Sequence, residues 1–374
     1  MKIALFIFRF GPSHGSILQT YALTRTLEGM GHEVTIIDRQ RPITLNDYNV
    51  CMRRVVKGLL KGQFSWHDFY LGSFSQYMMK KLNVFIDKEL RHQTITLTSD
   101  IKLKKIGKGD YDAYIVGSDQ TWRPRYVYNI YNYYLDFVPQ ERDVKRVAYA
   151  VSFGSSEWEY SEAEERRCKE LVRLFNGVSV REDDAVKTCK NHFDINAQHV
   201  LDPTMLLTAD AYYKIIGKKD AVKEKYVGYN YLDFTDEKMK MVSRISEALE
   251  LPARQINSMT ENPTAKVKDK VAPSIEEWMG GIANSEFVIV DSFHATVFAI
   301  IFHKNFVTVG NERRGLARFT SLLRMFGLED RLVLGDELNM KQLENNIDWG
   351  KVERKMDEMR YSSKAYLRNQ LESI

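Results

Sequence analysis

At 374 residues the chain exceeds what one hydrophobic core usually spans, so two domains are expected, each able to bury a sizeable interior. An apolar fraction of 44% with 12% aromatic residues excludes a disordered or low-complexity chain. The balance of 54 Lys+Arg against 50 Asp+Glu leaves +4 spread along the sequence, which argues against a nucleic-acid surface and suits an anionic small substrate.

Cys51, Cys168 and Cys189 are an odd number without CxxC spacing, so neither a disulfide framework nor a zinc site is indicated, and a reducing cytoplasm is expected. The opening MKIALFIFRFG is interrupted by Arg9, lacks a small-residue cleavage site and is far short of a membrane span, so it reads as a first strand.

In chain order, KIALFIF (2–8) suits a central parallel strand. A loop RFGPSHGS and an amphipathic helix over 17–30 follow, with Leu18, Tyr21, Ala22 and Leu27 on a helical period, and HEVTIID (32–38) supplies a second strand. The loop holds Gly11 and Gly15 but not GxGxxG, so no nicotinamide or flavin cofactor is expected. Residues 41–105, rich in Tyr, Phe, Met and Lys with helical periodicity around 75–90, read as an inserted helical subregion. Strands are predicted at 112–118, 146–153, 177–180 and 198–202, with helices over 162–175 and 182–190 between them.

A second βαβ series starts at KYVGYNYL (225–232) and runs through a helix near 236–250, ARQINS (253–258) and a helix near 275–283. It continues with FVIVD (287–291), a helix from Phe293 and NFVTVG (305–310). The expected division is an N-terminal Rossmann-like domain (1–215), a C-terminal one (216–350) and a terminal helix (351–374) packing back on the first. In such sheets ligands sit beyond the carboxyl ends of the strands, so those loops are where function is sought.

They carry polar clusters at 11–16, 117–120, 179–182 and 291–294, with Arg313, Arg314 and Arg318 after the last strand. Gly15 and Ser16 precede a helix whose free amides favour an anion, although Ser16 reads equally as an N-cap. Asp119 projects from a strand end, either as a base for a substrate hydroxyl or as a turn cap. Arg181 offers a fork of donors to a phosphate or carboxylate, or a local ion pair to Glu182 or Asp183. His294 falls in the first turn of its helix, where a bound phosphate would favour its protonated form. HExxH, P-loop and GxSxG motifs and clustered Cys/His sets are missing, leaving metal or covalent serine chemistry without support.

The ordered set GSILQTYAL (15–23), DAYIVGSDQTWRP (112–124), YYLDFVP (133–139), YAVSFG (149–154), SVRE (179–182), LDPTMLL (201–207), DSFHATVFAI (291–300) and RGLARFTSLL (314–323) resembles the polysaccharide pyruvyl transferases. The resemblance implies an α/β fold of two Rossmann-like domains facing a cleft, GT-B-like. It also implies transfer of the enolpyruvyl unit of phosphoenolpyruvate onto a sugar as a pyruvate ketal, in the assembly of an exopolysaccharide or capsule. By motif, Arg181, Ser292, Phe293 and His294 would hold the donor, with His294 the general acid or phosphate contact. Relatives carry Arg-Leu-His where this chain has Ser292, Phe293 and His294, so Arg314 or Arg318 is expected to substitute for the missing arginine.

By analogy with GT-B enzymes the acceptor would lie near His14, Ser16, Asp119 and Gln120, with Asp119 as base. The expected partners are phosphoenolpyruvate and a sugar on a lipid-linked or nucleotide-linked precursor, with transient membrane proximity but no stable insertion, no nucleic acid, no cofactor and no metal. A nucleotide-sugar glycosyltransferase on the same fold and a non-catalytic carbohydrate-binding member are the alternatives.

Overall fold

The structure, a computed structural model, describes residues 1–42, 45–60, 73–155, 157–217, 224–259, 265–310, 315–335 and 346–372. Its first sheet has seven strands: Lys2–Ile7 (β1), Glu33–Arg39 (β2), Thr94–Leu97 (β3), Ala113–Val116 (β4), Lys145–Val151 (β5), Gly177–Val180 (β6) and Gln198–His199 (β7). They lie in the order β3-β2-β1-β4-β5-β6-β7, and every neighbouring pair is parallel. The central strand registers on both sides, Ile3 opposite Val34 and Ala113. Near-continuous apolar runs such as ALFI and AYIV form these strands because helices cover both faces of the sheet.

The helices that accompany this sheet are His14–Gly29 (α1), Leu45–Leu60 (α2), Ser73–Met78 (α3), Lys80–Glu89 (α4), Asp100–Gly107 (α5), Glu162–Val172 (α6) and Asp183–Thr188 (α7). The subregion expected to be helical therefore also contributes an edge strand, β3, whose four residues TITL are too few to show a period. At the other edge β7 is shorter than the expected 198–202, because Asp202 caps a 3₁₀ turn that begins at Pro203.

The second sheet comprises Val227–Asn230 (β8), Ala253–Gln255 (β9), Phe287–Val290 (β10), Asn305–Val309 (β11) and Leu332–Val333 (β12). These are all parallel, in the order β12-β11-β10-β8-β9. Around it pack Ala209–Ile216 (α8), Asp236–Ala248 (α9), Ile275–Ala283 (α10), Phe293–Ile301 (α11) and Leu316–Phe326 (α12). All nine residues of α11 are buried, so it is apolar on every side, as a helix at the centre of a core must be. The last helix, Trp349–Glu372 (α13), lies on the first sheet: the Tyr366 hydroxyl donates to the Ala148 carbonyl (3.1 Å) and Arg360 Nε to the Met205 carbonyl (3.0 Å).

The two halves meet through specific contacts. The Asp183 amide donates to the Ser321 hydroxyl (2.9 Å), and Arg324 pairs with Asp183 (2.9 Å). Gly315, at the N-cap of α12, has φ +90, and a Cβ there would lie 2.1 Å from the Gly154 carbonyl oxygen. Only glycine permits both that conformation and that approach, which brings the start of α12 against the loop after β5. Among the described residues no helix is long and apolar enough to cross a membrane.

Candidate active site

Both sheets reverse their strand order next to a central strand, β1 in the first and β10 in the second, and a crevice forms where such a reversal occurs. The loops after these strands face each other across a cleft of about 200 Å³.

On the first side, Ser13 is the N-cap of α1, its hydroxyl accepting from the Ser16 amide (3.4 Å), so the helix starts three residues before the expected position. Its first turn thereby reaches the cleft, which Pro12, Ser13, His14 and Gly15 line. The half-buried His14 ring stacks on Trp278 (centroids 4.9 Å apart), and its Nε2 lies 2.9 Å from the Pro273 carbonyl, which can only accept, so Nε2 carries the proton. Burial lowers the His14 pKa to about 4, against the upward pull of the Pro273 carbonyl and Glu277, and the ring is neutral at pH 7. Ser16 differs from expectation. It is buried on the side of α1 away from the cleft, in a small pocket with Gln19 and Ser118, because the helix starts early enough to turn its side chain inward.

Asp119 and Gln120 both line the cleft. Asp119 has φ +78, a left-handed conformation that Asp tolerates better than most residues. Its carbonyl accepts from the Thr121 and Ser152 amides (2.7 and 3.1 Å), while its carboxylate accepts from the Gln120 amide (2.9 Å). Asp119 therefore caps the turn, as one of its two sequence readings had it, and also lines the cleft. Beneath this loop Trp122 is fully buried, stacked on Tyr134 at 4.4 Å, with its indole donating to the Tyr133 carbonyl (3.0 Å). Such a ring pair contributes about 0.5–1.5 kcal/mol beyond its area burial and holds the loop in place.

On the second side, Ser292 occupies the N-cap of α11 without a side-chain cap bond, so its hydroxyl and the first-turn amides are not engaged by a cap. Asp291 does not cap the helix as its position suggests. Its carboxylate turns back to accept from the Leu232 and Asp233 amides (2.6 and 3.2 Å) and to pair with Lys238. Burial still raises its pKa, although these partners oppose the shift.

His294 is a second point of close approach between the two halves. A Cβ on Gly15 would fall 2.1 Å from His294 Nδ1, so the imidazole packs against the α1 backbone through a gap that only glycine leaves open. His294 Nε2 is buried without a hydrogen-bond partner and lies 3.7 Å from Asp202 Oδ2, beyond hydrogen-bond reach, so their coupling is electrostatic. Asp202 in turn accepts from Gln19 Nε2, Arg181 Nη1 (3.0 Å) and the Thr204 amide and hydroxyl (3.0 and 2.6 Å). Burial opposes its charge, but His294, Arg181 and Thr204 outweigh that and hold it well below the usual carboxylate range.

Arg181, expected on the donor, is instead buried behind Phe293. It pairs with Asp202 and with Glu182 (3.1 Å), and its guanidinium lies 4.3 Å from the Phe293 ring centre. Burial opposes its charge, yet Glu182, Asp202 and Asp119 raise its pKa above the ordinary value. It therefore positions Asp202 and Phe293 rather than lining the cleft. Arg318 does line the cleft, 5.8 Å from the same ring, with its pKa lowered to about 10 by burial and by Arg181. Arg313 and Arg314 lie outside the described residues.

The sequence reading missed Asn230, Asn257 and Trp278 on the cleft wall, and Asp202 behind it. Two carried a signal, since Asn230 closes β8 and Asn257 lies two residues beyond β9, polar groups after strands. Asn257 Nδ2 donates to the Tyr231 carbonyl (2.6 Å), leaving its buried Oδ1 without a partner beside the cleft, ready for a ligand hydroxyl. Among the described residues no group of three or more His, Cys, Asp or Glu is placed to hold a metal ion.

The model of the family described as Polysaccharide pyruvyl transferase matches residues 14–313. No curated protein matches the sequence. Among solved structures the chain is similar to Arabidopsis thaliana UGT89C1 complexed with UDP-L-rhamnose, at TM-score 0.54 and 10% identity over 99% of this chain and 98% of that one. It is also similar to UDP-GlcNAc 2-epimerase from Neisseria meningitidis bound to UDP-GlcNAc, at TM-score 0.52 and 8% identity over 100% of both chains. At such identities these likenesses establish the fold alone, the two-domain GT-B arrangement.

Proposed function

Since this chain belongs to the polysaccharide pyruvyl transferase family, we propose that its cleft transfers the enolpyruvyl group of phosphoenolpyruvate onto two hydroxyls of a sugar in a surface-polysaccharide precursor, forming a pyruvate ketal. The observation that supports it best is the His294 imidazole at the start of α11, packed against Gly15, 3.7 Å from the Asp202 carboxylate and lining the same cleft as Arg318.

The donor is a small polyanion whose reaction begins at carbon. Protonation of its methylene by His294 gives a methyl group and an oxocarbenium-like carbon. A first sugar hydroxyl adds to this carbon, losing its proton to Asp119. The bond to phosphate then breaks, the phosphate taking the electron pair, and a second hydroxyl adds and returns a proton to His294. The proton held by Asp119 leaves with the phosphate, so one molecule of phosphate is released per ketal formed. Arg318 and the uncapped first-turn amides of α11 would carry the donor's negative charge. The neutral His14 and the Asn257 carbonyl oxygen are suited to the sugar hydroxyls, where a charged group would be poorly matched.

Calorimetric titration with phosphoenolpyruvate and, separately, with UDP-sugars tests the donor. Mass spectrometry of simple glycosides incubated with phosphoenolpyruvate tests the product. Phosphoenolpyruvate binding with appearance of the ketal mass is expected; binding of UDP-sugars with none of phosphoenolpyruvate would sink the reading in favour of a glycosyltransferase.

A further inference from the structure

A second pocket, also of about 200 Å³, opens at the carboxyl end of the first sheet, where Arg9 follows β1, Arg39 and Arg41 end and follow β2, and Arg125 and Tyr128 come from the segment after β4. Among the described residues that line it, four are arginines and none is a carboxylate. In a chain whose net charge is only +4, that concentration of one sign is local. Arginines gathered around one concavity favour an anion within it.

Arg39 is a built element of this wall, its side chain 3% exposed. One end is fixed by Asp100 and the Gln40 carbonyl (2.9 Å), while Nε is buried with no hydrogen-bond partner. Arg9 and Arg125 are exposed. Among the described residues Arg125 pairs only with Glu159, at 3.8 Å, a carboxylate already held at both oxygens by Arg123 (2.8 and 3.0 Å). Aromatic faces complete the pocket: Tyr128 lies 5.8 Å from the Arg39 guanidinium, and Tyr126, held at 4.4 Å by Arg123, lines both this pocket and the cleft. Arg123 also donates to the Gln120 side chain (2.8 Å), so one residue fixes the boundary between the two spaces.

We propose that this pocket binds the diphosphate of an esterified sugar acceptor, with Arg9, Arg39 and Arg125 on the phosphate oxygens and Tyr126 turning the sugar into the cleft. A planar guanidinium meets two phosphate oxygens at once, and two linked phosphates match several such groups better than a single carboxylate would. Naming the ester as acceptor rests on the pyruvyl-transfer reading, whereas diphosphate binding does not.

The test is calorimetric titration of the full chain with inorganic pyrophosphate and with phosphoenolpyruvate, in the wild type, in Arg9→Ala/Arg125→Ala and in Arg318→Ala. The double variant alters only exposed side chains and should keep the wild-type melting temperature. It is expected to weaken pyrophosphate at least tenfold and phosphoenolpyruvate less than twofold, with Arg318→Ala showing the reverse. Pyrophosphate that fails to bind the wild type at millimolar concentration, or that binds the double variant within twofold of it, overturns the proposal. Loss of phosphoenolpyruvate binding alone would instead overturn the donor assignment. Parallel titrations with UDP and farnesyl diphosphate identify the ester: the tighter ligand, losing affinity in the double variant, distinguishes a nucleoside from a polyprenyl carrier, and a ligand unaffected by the double variant is excluded from the site.

Discussion

The two pockets share Tyr126 and a similar volume but hold their charges in opposite ways. At the cleft, Arg181 and Asp202 are almost wholly buried and neutralise each other, and Arg318, also buried, has its pKa lowered. In the second pocket, Arg9 and Arg125 are exposed, and among the described residues the only carboxylate paired with either is Glu159, 3.8 Å from Arg125 and already held by Arg123. Burying an unpaired charge is costly, so an interior site must carry its counter-ions with it, whereas solvated arginines can wait for theirs. The first arrangement suits a site that moves protons with fixed geometry, and the second a site that captures an anion.

Four substitutions or conditions would break or sharpen that contrast. His294→Gln removes the proposed acid while keeping the volume, and is expected to lower kcat about 10²–10⁴-fold with phosphoenolpyruvate affinity much less affected. A kcat within tenfold of wild type would move the proton transfer elsewhere. Gly15→Ala sets a methyl group 2.1 Å from His294 Nδ1 and should lower activity about 100-fold through displacement of the ring, in line with the sensitivity of catalysis to misplacements near 1 Å. Because the overlap is with the imidazole, Gly15→Ala should destabilise the wild type but not a His294→Ala background, a coupling that thermal melts of the four proteins would measure. Arg318→Ala should raise the donor Michaelis constant about 10–100-fold, the worth of a charge-assisted hydrogen bond, with kcat less changed.

The smallest effect concerns His14. Its folded pKa of about 4 lies below the ordinary 6.5, so the unfolded chain binds the proton more tightly and stability falls as the pH drops from about 6.5 to 4. Allowing for the partial exposure of the ring, the loss should be on the order of 1–2 kcal/mol. Denaturant melts of wild type and His14→Phe at pH 7 and 4.5 should show a shallower pH dependence in the variant, and parallel curves would remove His14 as the cause.

Apolar runs determined most of the architecture by themselves. KIALFIF, DAYIVGS, RVAYAVSF and FVIVD suit a doubly covered parallel sheet, and the polar groups after them point to its carboxyl end, which is how Asp119, Gln120, Ser292 and His294, all on the cleft wall, were legible. Short edge strands such as β3 and β12 escaped, since two to four residues carry no readable period. Asp202 sits within LDPTMLL and Arg181 within SVRE, and nothing local distinguishes an arginine that reaches a ligand from one that holds a buried aspartate. Likewise Gly15 reads as a loop glycine until α11 is laid against it from the other domain. Periodicity and strand-end chemistry are local and can be read along the chain. Which side of a helix faces the cleft, which arginine is neutralised, and which residues 100 or more positions apart meet were decided only by the packing of the two domains.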